Sequence, residues 1–217
     1  MSGDSFKTLA APSCGEFRDR GSKFIAFAFP LRSEEEWTAL LEEVKKDHPK
    51  ARHHCWAYRF GVQGENYRAN DDGEPSGTAG RPILGQIDSF ELTNVFVVVV
   101  RYFGGTLLGT SGLINAYKNS THDSLQKAQI VTKFISRKFR VSFDYALMGE
   151  VMNAAKRIEA EILEHSFDAN PSITIEIRAS KSDSELLRLK ALVTRTSLEQ
   201  AAESEKTKGF EIVELVG

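Results

Sequence analysis

The chain has 217 residues, enough for one large domain or two small ones, each able to bury its own core. It carries 28 basic and 30 acidic residues, a formal net charge of -2, which removes any electrostatic case for strong nonspecific binding to nucleic acid or an anionic membrane. Its two cysteines, Cys14 and Cys55, make no disulfide framework and point to a reducing compartment. The N-terminus shows no long apolar segment of signal-peptide type. The longest apolar run, over 95–100, is too short to span a bilayer. The expectation is a cytoplasmic protein without a membrane partner.

Residues 1–20 are small and polar, with Pro12 and Gly15, and read as a loosely held lead-in. The pattern over 23–31 predicts a strand, with aromatic side chains at Phe27 and Phe29. Ser33 is a good N-cap, and Glu36 three residues later completes a capping box. Trp37, Leu40, Leu41 and Val44 follow at helical spacing, and the helix must stop before Pro49. Residues 53–60 read as a strand, 61–65 as a turn, and 66–69 as a strand that pairs back. Pro82, Ile83, Leu84 and Ile87 predict a helix with proline in its first turn. The central strand is read over 94–102, and the uninterrupted Val/Phe run within it implies burial on both faces. A long helix follows over 112–128, its apolar stripe starting at Leu113, Ala116 and Tyr117.

The second half changes rhythm. Over 136–145, Phe139, Val141, Phe143 and Tyr145 share one face, while Lys138, Arg140 and Asp144 share the other. A helix is predicted over 148–158, strands over 162–167 and 172–179 joined at Asn170-Pro171, a helix over 184–195 and a closing strand over 210–216. That β-α-β-β-α-β order is the ferredoxin-like pattern. The boundary falls near 130–132, giving an N-terminal domain over 21–130 and a C-terminal domain over 131–217.

The stretch 70–111 holds the candidate site. Gly73, Gly77, Gly80, Gly104, Gly105 and Gly109 are denser there than packing requires, which marks backbone that turns sharply or approaches something closely. Gly104, four further residues, Gly109, Thr110 and Ser111 nearly match a phosphate-cradling loop between a strand and a helix. Thr110 occupies the place of the lysine that such a loop uses on the transferred phosphate, so nucleotide hydrolysis by that route is not expected. Two readings stay open, anion binding by free backbone N–H groups at the helix start and a tight turn that needs glycine for sterics alone. Asp71, Asp72 and Glu74 could hold a divalent cation, although their spacing is not that of a calcium loop, or could form a solvated turn. Ser76 and Thr78 belong to the same loop and count with it as candidate ligand- or anion-binding residues.

His53 and Cys55 share one face of their strand and His54 points to the other. Two ligands do not make a zinc site, and a Cys/His nucleophilic pair is the other reading of these side chains. Arg101 closes the central apolar run, either to grip an anion or to pair with Asp71, Asp72 or Glu74. Lys23 ends the first strand pattern with the same two options. In the second domain Lys133, Arg137, Lys138 and Arg140 cluster, and Lys138 and Arg140 project from one strand face as candidate nucleic-acid contacts. Residues 131–217 nevertheless hold 13 Lys/Arg against 14 Asp/Glu, so that domain is not basic as a whole. No catalytic set, metal set or cofactor is assigned.

Two segments, DDGEPSGTAGRPIL and NVFVVVVRYFGGTLLGTSGLINAY, together with SKFIA at Ser22–Ala26 and HHCWAY at His53–Tyr58, resemble the IMPACT family, specifically its bacterial YigZ-like branch. The resemblance implies an α+β protein. Its N-terminal α/β sandwich would be similar to the domain 2-like fold of ribosomal protein S five and to domain IV of elongation factor G. Its C-terminal ferredoxin-like domain would be similar to domain V of the same factor. Eukaryotic relatives regulate translation initiation by restraining a stress kinase, and they carry an additional N-terminal partner-binding domain. This chain begins at the family core, so the kinase-pathway role is not expected to transfer. Two positions depart from the family pattern. Ser111 stands where members usually have glycine, and Asn115 stands where many carry a basic residue.

The expectation that ranks first is a non-catalytic module engaging RNA or the ribosome, with a role in regulating translation. The loops at 71–80 and 101–109 would line its site, helped by Lys138 and Arg140. A regulator docking on a protein of the translation machinery ranks second. An enzyme on a small phosphorylated or peptide-like substrate ranks third, because no complete catalytic constellation is legible.

Overall fold

The structure is a computed structural model that describes residues 4–168, 170–204 and 209–215. The chain divides into two compact units, Ser5–Lys133 and a second comprising Asp4 and the residues from Phe134 onward.

In the first unit, β2 (Ser13–Asp19), β3 (Ser22–Pro30), β6 (Val95–Tyr102), β4 (His53–Phe60) and β5 (Asn66–Asn70) form one sheet, in that order. β6 is antiparallel to β3 and to β4. Its valine run is buried on both faces, as the sequence implies. Val95, Val97 and Val99 pack with Ile83 and Ile87 of α2 (Gly80–Ser89) and with Leu113, Ala116 and Tyr117 of α3 (Gly109–Lys127). Phe96, Val98 and Val100 pack on the opposite face with Leu41 and Val44 of α1 (Glu36–Asp47). Seven consecutive buried residues on the middle strand are the signature of a sheet covered on both sides.

Two features differ from the sequence expectation. The segment before Arg20 is no loose lead-in. It forms β1 (Ser5–Leu9), which pairs with β7 (Ile130–Phe134), and β2, which pairs with β3 along its whole length. Its small residues allow this: β2 lies so close to α3 that a Cβ on Gly15 would stand 2.2 Å from the Ser124 backbone nitrogen. The Ser13 hydroxyl donates to the Ser124 carbonyl at 3.0 Å. The expected capping box at Ser33 is also absent. α1 starts at Glu36, and the Glu36 carboxylate instead accepts from the Arg32 backbone N–H at 2.7 Å, outside the helix.

The second unit contains β8 (Ser136–Phe143), α4 (Met148–Arg157), β9 (Glu161–Ser166), β10 (Ser172–Arg178), α5 (Ser182–Thr194), α6 (Leu198–Glu203) and β11 (Phe210–Leu215). The sheet order is β11-β8-β10-β9, with every pairing antiparallel. Phe139, Val141 and Phe143 face a core shared with Val151, Ala154 and Ala155 of α4 and Leu189 and Val193 of α5. Tyr145 does not extend that face. It begins a 3-10 turn and is exposed, because the strand has ended at Phe143. The short helix α6, not anticipated, begins at a capping box between Ser197 and Gln200.

Candidate functional site

The residues singled out in the first unit gather at one end of the five-stranded sheet. The register places His53 opposite Arg101 and Phe24 opposite Arg101, while the Arg52 N–H donates to the Arg101 carbonyl at 3.0 Å. The loop after β5 folds over this end, and the loop after β6 leaves from it.

Arg101 continues the face of Val95, Val97 and Val99, so its charge is carried inward at the end of an apolar row. Its Nη1 donates to Glu74 Oε1 at 2.6 Å, with the two side chains only 6% and 4% exposed. Of the two options open for Arg101, the ion pair is therefore the one formed. The Tyr117 hydroxyl donates to the same oxygen at 2.8 Å. A carboxylate this deep would be costly alone, and the cation and the hydroxyl together offset that cost. Glu74 thereby ties three elements, the first loop, β6 and α3.

The other two acids of the loop face elsewhere. The Asp71 carboxylate accepts from the backbone N–H groups of Gly77, Ala79 and Gly80 at 2.8, 3.0 and 2.8 Å, bracing the loop and the start of α2. Burial alone would raise the Asp71 carboxyl. The three amides, with Arg81 nearby, outweigh that and hold it below its ordinary value. Asp72 Oδ2 accepts from the His54 N–H at 2.6 Å, and Asp72 itself has a positive φ of 42°. The three carboxylates thus diverge onto different partners. Among the described residues, no group of three His, Cys, Asp or Glu side chains is arranged to hold a metal ion. Ser76 is exposed, whereas Thr78 is buried with its hydroxyl donating to the Pro75 carbonyl at 2.6 Å.

His53 and Cys55 do share a face, with His54 on the other. The His53 Nδ1 lies 2.7 Å from the Asp72 carbonyl and its Nε2 4.0 Å from Glu74. Cys55 Sγ donates to the Asp71 carbonyl at 3.0 Å and contacts the Tyr117 hydroxyl at 3.3 Å. Burial pushes both the Cys55 thiol and the Tyr117 phenol far up, and the surrounding carboxylates push in the same direction. A thiol held protonated is a poor nucleophile, so the Cys/His reading loses its chemistry here. His54 Nε2 lies 3.2 Å from the His48 carbonyl, and burial lowers the pKa of that imidazole.

The second loop joins strand to helix as its sequence suggests. Gly104 packs against β3, where a Cβ would stand 1.9 Å from the Gly21 carbonyl carbon, and its N–H donates to Ser22 Oγ at 3.1 Å. Gly105 and Gly109 have positive φ, 88° and 69°, with open space around them. Thr110 and Ser111 are exposed in the first turn of α3, and no side chain caps that helix start. Ser111 is not among the positive-φ residues, so serine causes no backbone strain in place of the family's glycine. Lys23 is not drawn into the cluster. Its Nζ pairs with Glu16 at 2.9 Å on the neighbouring strand.

Lys138 and Arg140 project from the exposed face of β8. Glu176 of β10 stands opposite Lys138 in the register, and Glu211 of β11 stands opposite Ser142. Arg137, on the other face, is held by Glu214 at 2.7 Å and Asp183 at 2.9 Å. The strand face is therefore mixed in charge.

Sequence reasoning did not single out Arg52 or Phe103, and it read Tyr117 as core alone. Tyr117 carries no one-dimensional signal of its second role, because an apolar stripe and a buried hydroxyl donor look identical in sequence.

A sheet end closed by two braced loops in one unit, and a four-stranded sheet with helices in the other, define a mixed α/β protein with a preformed loop platform. Residues 20–125 match the family described as the Impact N-terminal domain. An IMPACT family member of Haemophilus influenzae is 36% identical over 158 residues, 72% of this chain and 77% of that protein. The IMPACT family member YigZ of Escherichia coli is 30% identical over 180 residues, 82% of this chain and 88% of that protein. The chain belongs to the IMPACT family. A crystal structure described as that of a hypothetical protein is similar over 98% of both chains, with 26% identity and a TM-score of 0.67. No helix among the described residues is long and apolar enough to cross a membrane.

Proposed function

We propose that this protein is a non-catalytic regulator of translation that contacts RNA or the ribosome in the cytoplasm through the loops at 71–80 and 101–109. Lys138 and Arg140 would add weaker contacts from the second unit. One observation carries the reading: Glu74 binds Arg101 Nη1 and the Tyr117 hydroxyl together, which fixes the shape of the first loop. Rigid loops cost little ordering entropy on binding. What this sheet end presents outward, Arg52, Phe103 and, at the start of α3, Thr110 and Ser111, suits contact with a larger partner. Family membership supplies the link to translation, through the resemblance to eukaryotic regulators. A net charge of -2 fits selective contact better than broad attraction to phosphate. The finer fold assignments belong to the same proposal. The first unit is read as similar to ribosomal protein S five and elongation factor G domain IV. The second is read as a ferredoxin-like module similar to domain V, supported by its sheet order β11-β8-β10-β9.

The test is co-sedimentation of the purified protein with ribosomes at low and moderate salt, with and without nuclease. Salt-sensitive co-migration abolished by nuclease is the expected result. Absence of co-migration at every salt concentration overturns it. A second reading, docking on a protein of the translation machinery, is favoured by Leu107, which stands 80% exposed on the second loop beside the partly exposed Phe103. Association that survives nuclease selects that reading.

A further inference from the structure

Arg101 does not use all of its guanidinium. Among the described residues, its one side-chain hydrogen bond runs from Nη1 to Glu74. Its Nε is shielded from water and has no acceptor. The Nε–Nη2 edge is the side of the fork that matches two oxygens of an oxyanion, and it is vacant of protein partners. A side chain 5% exposed rarely leaves such a donor unpaired.

A second guanidinium stands beside it. Arg52 precedes β4 and is tied to Arg101 through the backbone hydrogen bond between them. Its guanidinium carbon lies 5.3 Å from the centre of the Phe103 ring, and that of Arg101 lies 5.6 Å from the same centre. The two cations thus share one aromatic ring. Arg52 is exposed and has no acidic partner among the described residues. Arg101 and Glu74 form an ion pair and the Asp71 and Asp72 carboxylates are turned onto backbone N–H groups, so of the two guanidinium groups Arg52 is the one without a carboxylate partner among the described residues.

We propose that Arg52, Arg101 and Phe103 form a seat for a phosphate group, either of a nucleic-acid backbone or of a small phosphorylated molecule. The inference deepens, and rests on, the reading of these loops as a contact surface. A carboxylate would spend both oxygens on the Arg101 fork. A phosphate has further oxygens to offer Arg52, which is why phosphate fits the pair. The seat requires Phe103, 37% exposed and within reach of both guanidinium groups, to give way to the phosphate.

The Nε–H resonance of Arg101 in a nitrogen–proton correlation spectrum reads the vacant donor directly. Titration with inorganic phosphate moves that resonance saturably, with chloride at matched ionic strength as the control. Arg52→Ala, an exposed substitution that leaves the buried pair intact, weakens phosphate binding roughly tenfold or more, the loss of one charge-assisted hydrogen bond. An oligouridylate lacking terminal phosphates separates the sources. If it moves the resonance at lower concentration than inorganic phosphate, the occupant is a nucleic-acid backbone; if it does not, the occupant is a small phosphorylated molecule. An Nε–H resonance unmoved by both probes, or moved equally in Arg52→Ala, overturns the seat. If ribosomes co-sediment while that resonance stays fixed, the seat fails and the translation reading stands. If phosphate moves it and ribosomes never bind, the reverse holds.

Discussion

The two places where charged residues drew attention in the sequence have opposite fates in the structure. At the sheet end of the first unit, Arg101 and Glu74 are buried against each other, and a hydroxyl from α3 completes the group. On the outer face of β8, Lys138 and Arg140 stay exposed among glutamates of the neighbouring strands. A buried charge must be partnered, so its position is dictated by structure; an exposed one is free of that demand and is open to evolve for contact. The first region is therefore expected to answer to stability measurements and the second to binding measurements alone.

The largest effect that sharpens this contrast is at Glu74. Glu74→Ala leaves the Arg101 guanidinium buried without its anion, which costs about 3–5 kcal/mol. Urea denaturation of the intact chain, followed by a probe in the first unit, measures it. Replacing both partners with apolar residues of similar volume, Glu74→Leu with Arg101→Met, recovers much of the loss, because no uncompensated charge remains. A single substitution costing under about 1 kcal/mol would mean that the pair is as weak as a surface salt bridge, and the contrast with β8 would collapse.

Next comes Gly104→Ala. Its Cβ would meet the Gly21 backbone at 1.9 Å, and backbone cannot move aside as a flexible side chain does. The expected cost is about 1–3 kcal/mol from overpacking, read in the same denaturation experiment. Gly105 has open space, so the cost of substitution there comes only from its φ of +88°. The pair of variants separates sterics from conformation within one loop.

What the sequence made legible follows from which forces act locally. Strand β4 is legible over its full length because its run of aromatic and apolar residues and the turn signals that flank it are local to the segment. β6 was recognised because burial on both faces imposes an unbroken apolar run. β2 was missed because its stability comes from close approach to α3, through Gly15 and Ser13, and small polar residues in that role look like a loop. The start of α1 was misplaced because Glu36 satisfied a backbone N–H outside the helix rather than a cap. At the site, the sequence leaves Arg101 two options, an external anion or one of three acids. Only the fold decides that Glu74 turns inward while Asp71 turns to backbone amides and Asp72 to His54. Arg52 and Phe103 gave no signal, since an exposed arginine before a strand and an aromatic before glycine are each ordinary.

A smaller effect concerns Asp71 and carries a pH dependence. Its carboxyl is held below the ordinary value of 3.8, so its contribution is fully present above the unfolded pKa and is lost as pH falls through the folded one. The first unit should therefore lose stability progressively below about pH 4. Asp71→Asn removes the charge assistance on three amides at a cost of about 1–2 kcal/mol at neutral pH. It also flattens that part of the acid limb. An acid limb unchanged in Asp71→Asn would assign the acid sensitivity to other carboxylates.

The smallest effect on folding is expected on β8. Lys138→Gln combined with Arg140→Gln should leave the denaturation midpoint nearly unchanged, since both side chains lie on a solvated strand face. Any consequence must then come through binding. If ribosome co-sedimentation weakens while stability holds, the exposed face contributes contact, and the salt slope of binding should fall by about the two phosphate contacts removed. If co-sedimentation is unchanged, the contact surface is confined to the loops of the first unit. In that case the glutamates beside Lys138 and Arg140 have already neutralised the face, and exposure alone was a poor guide to function.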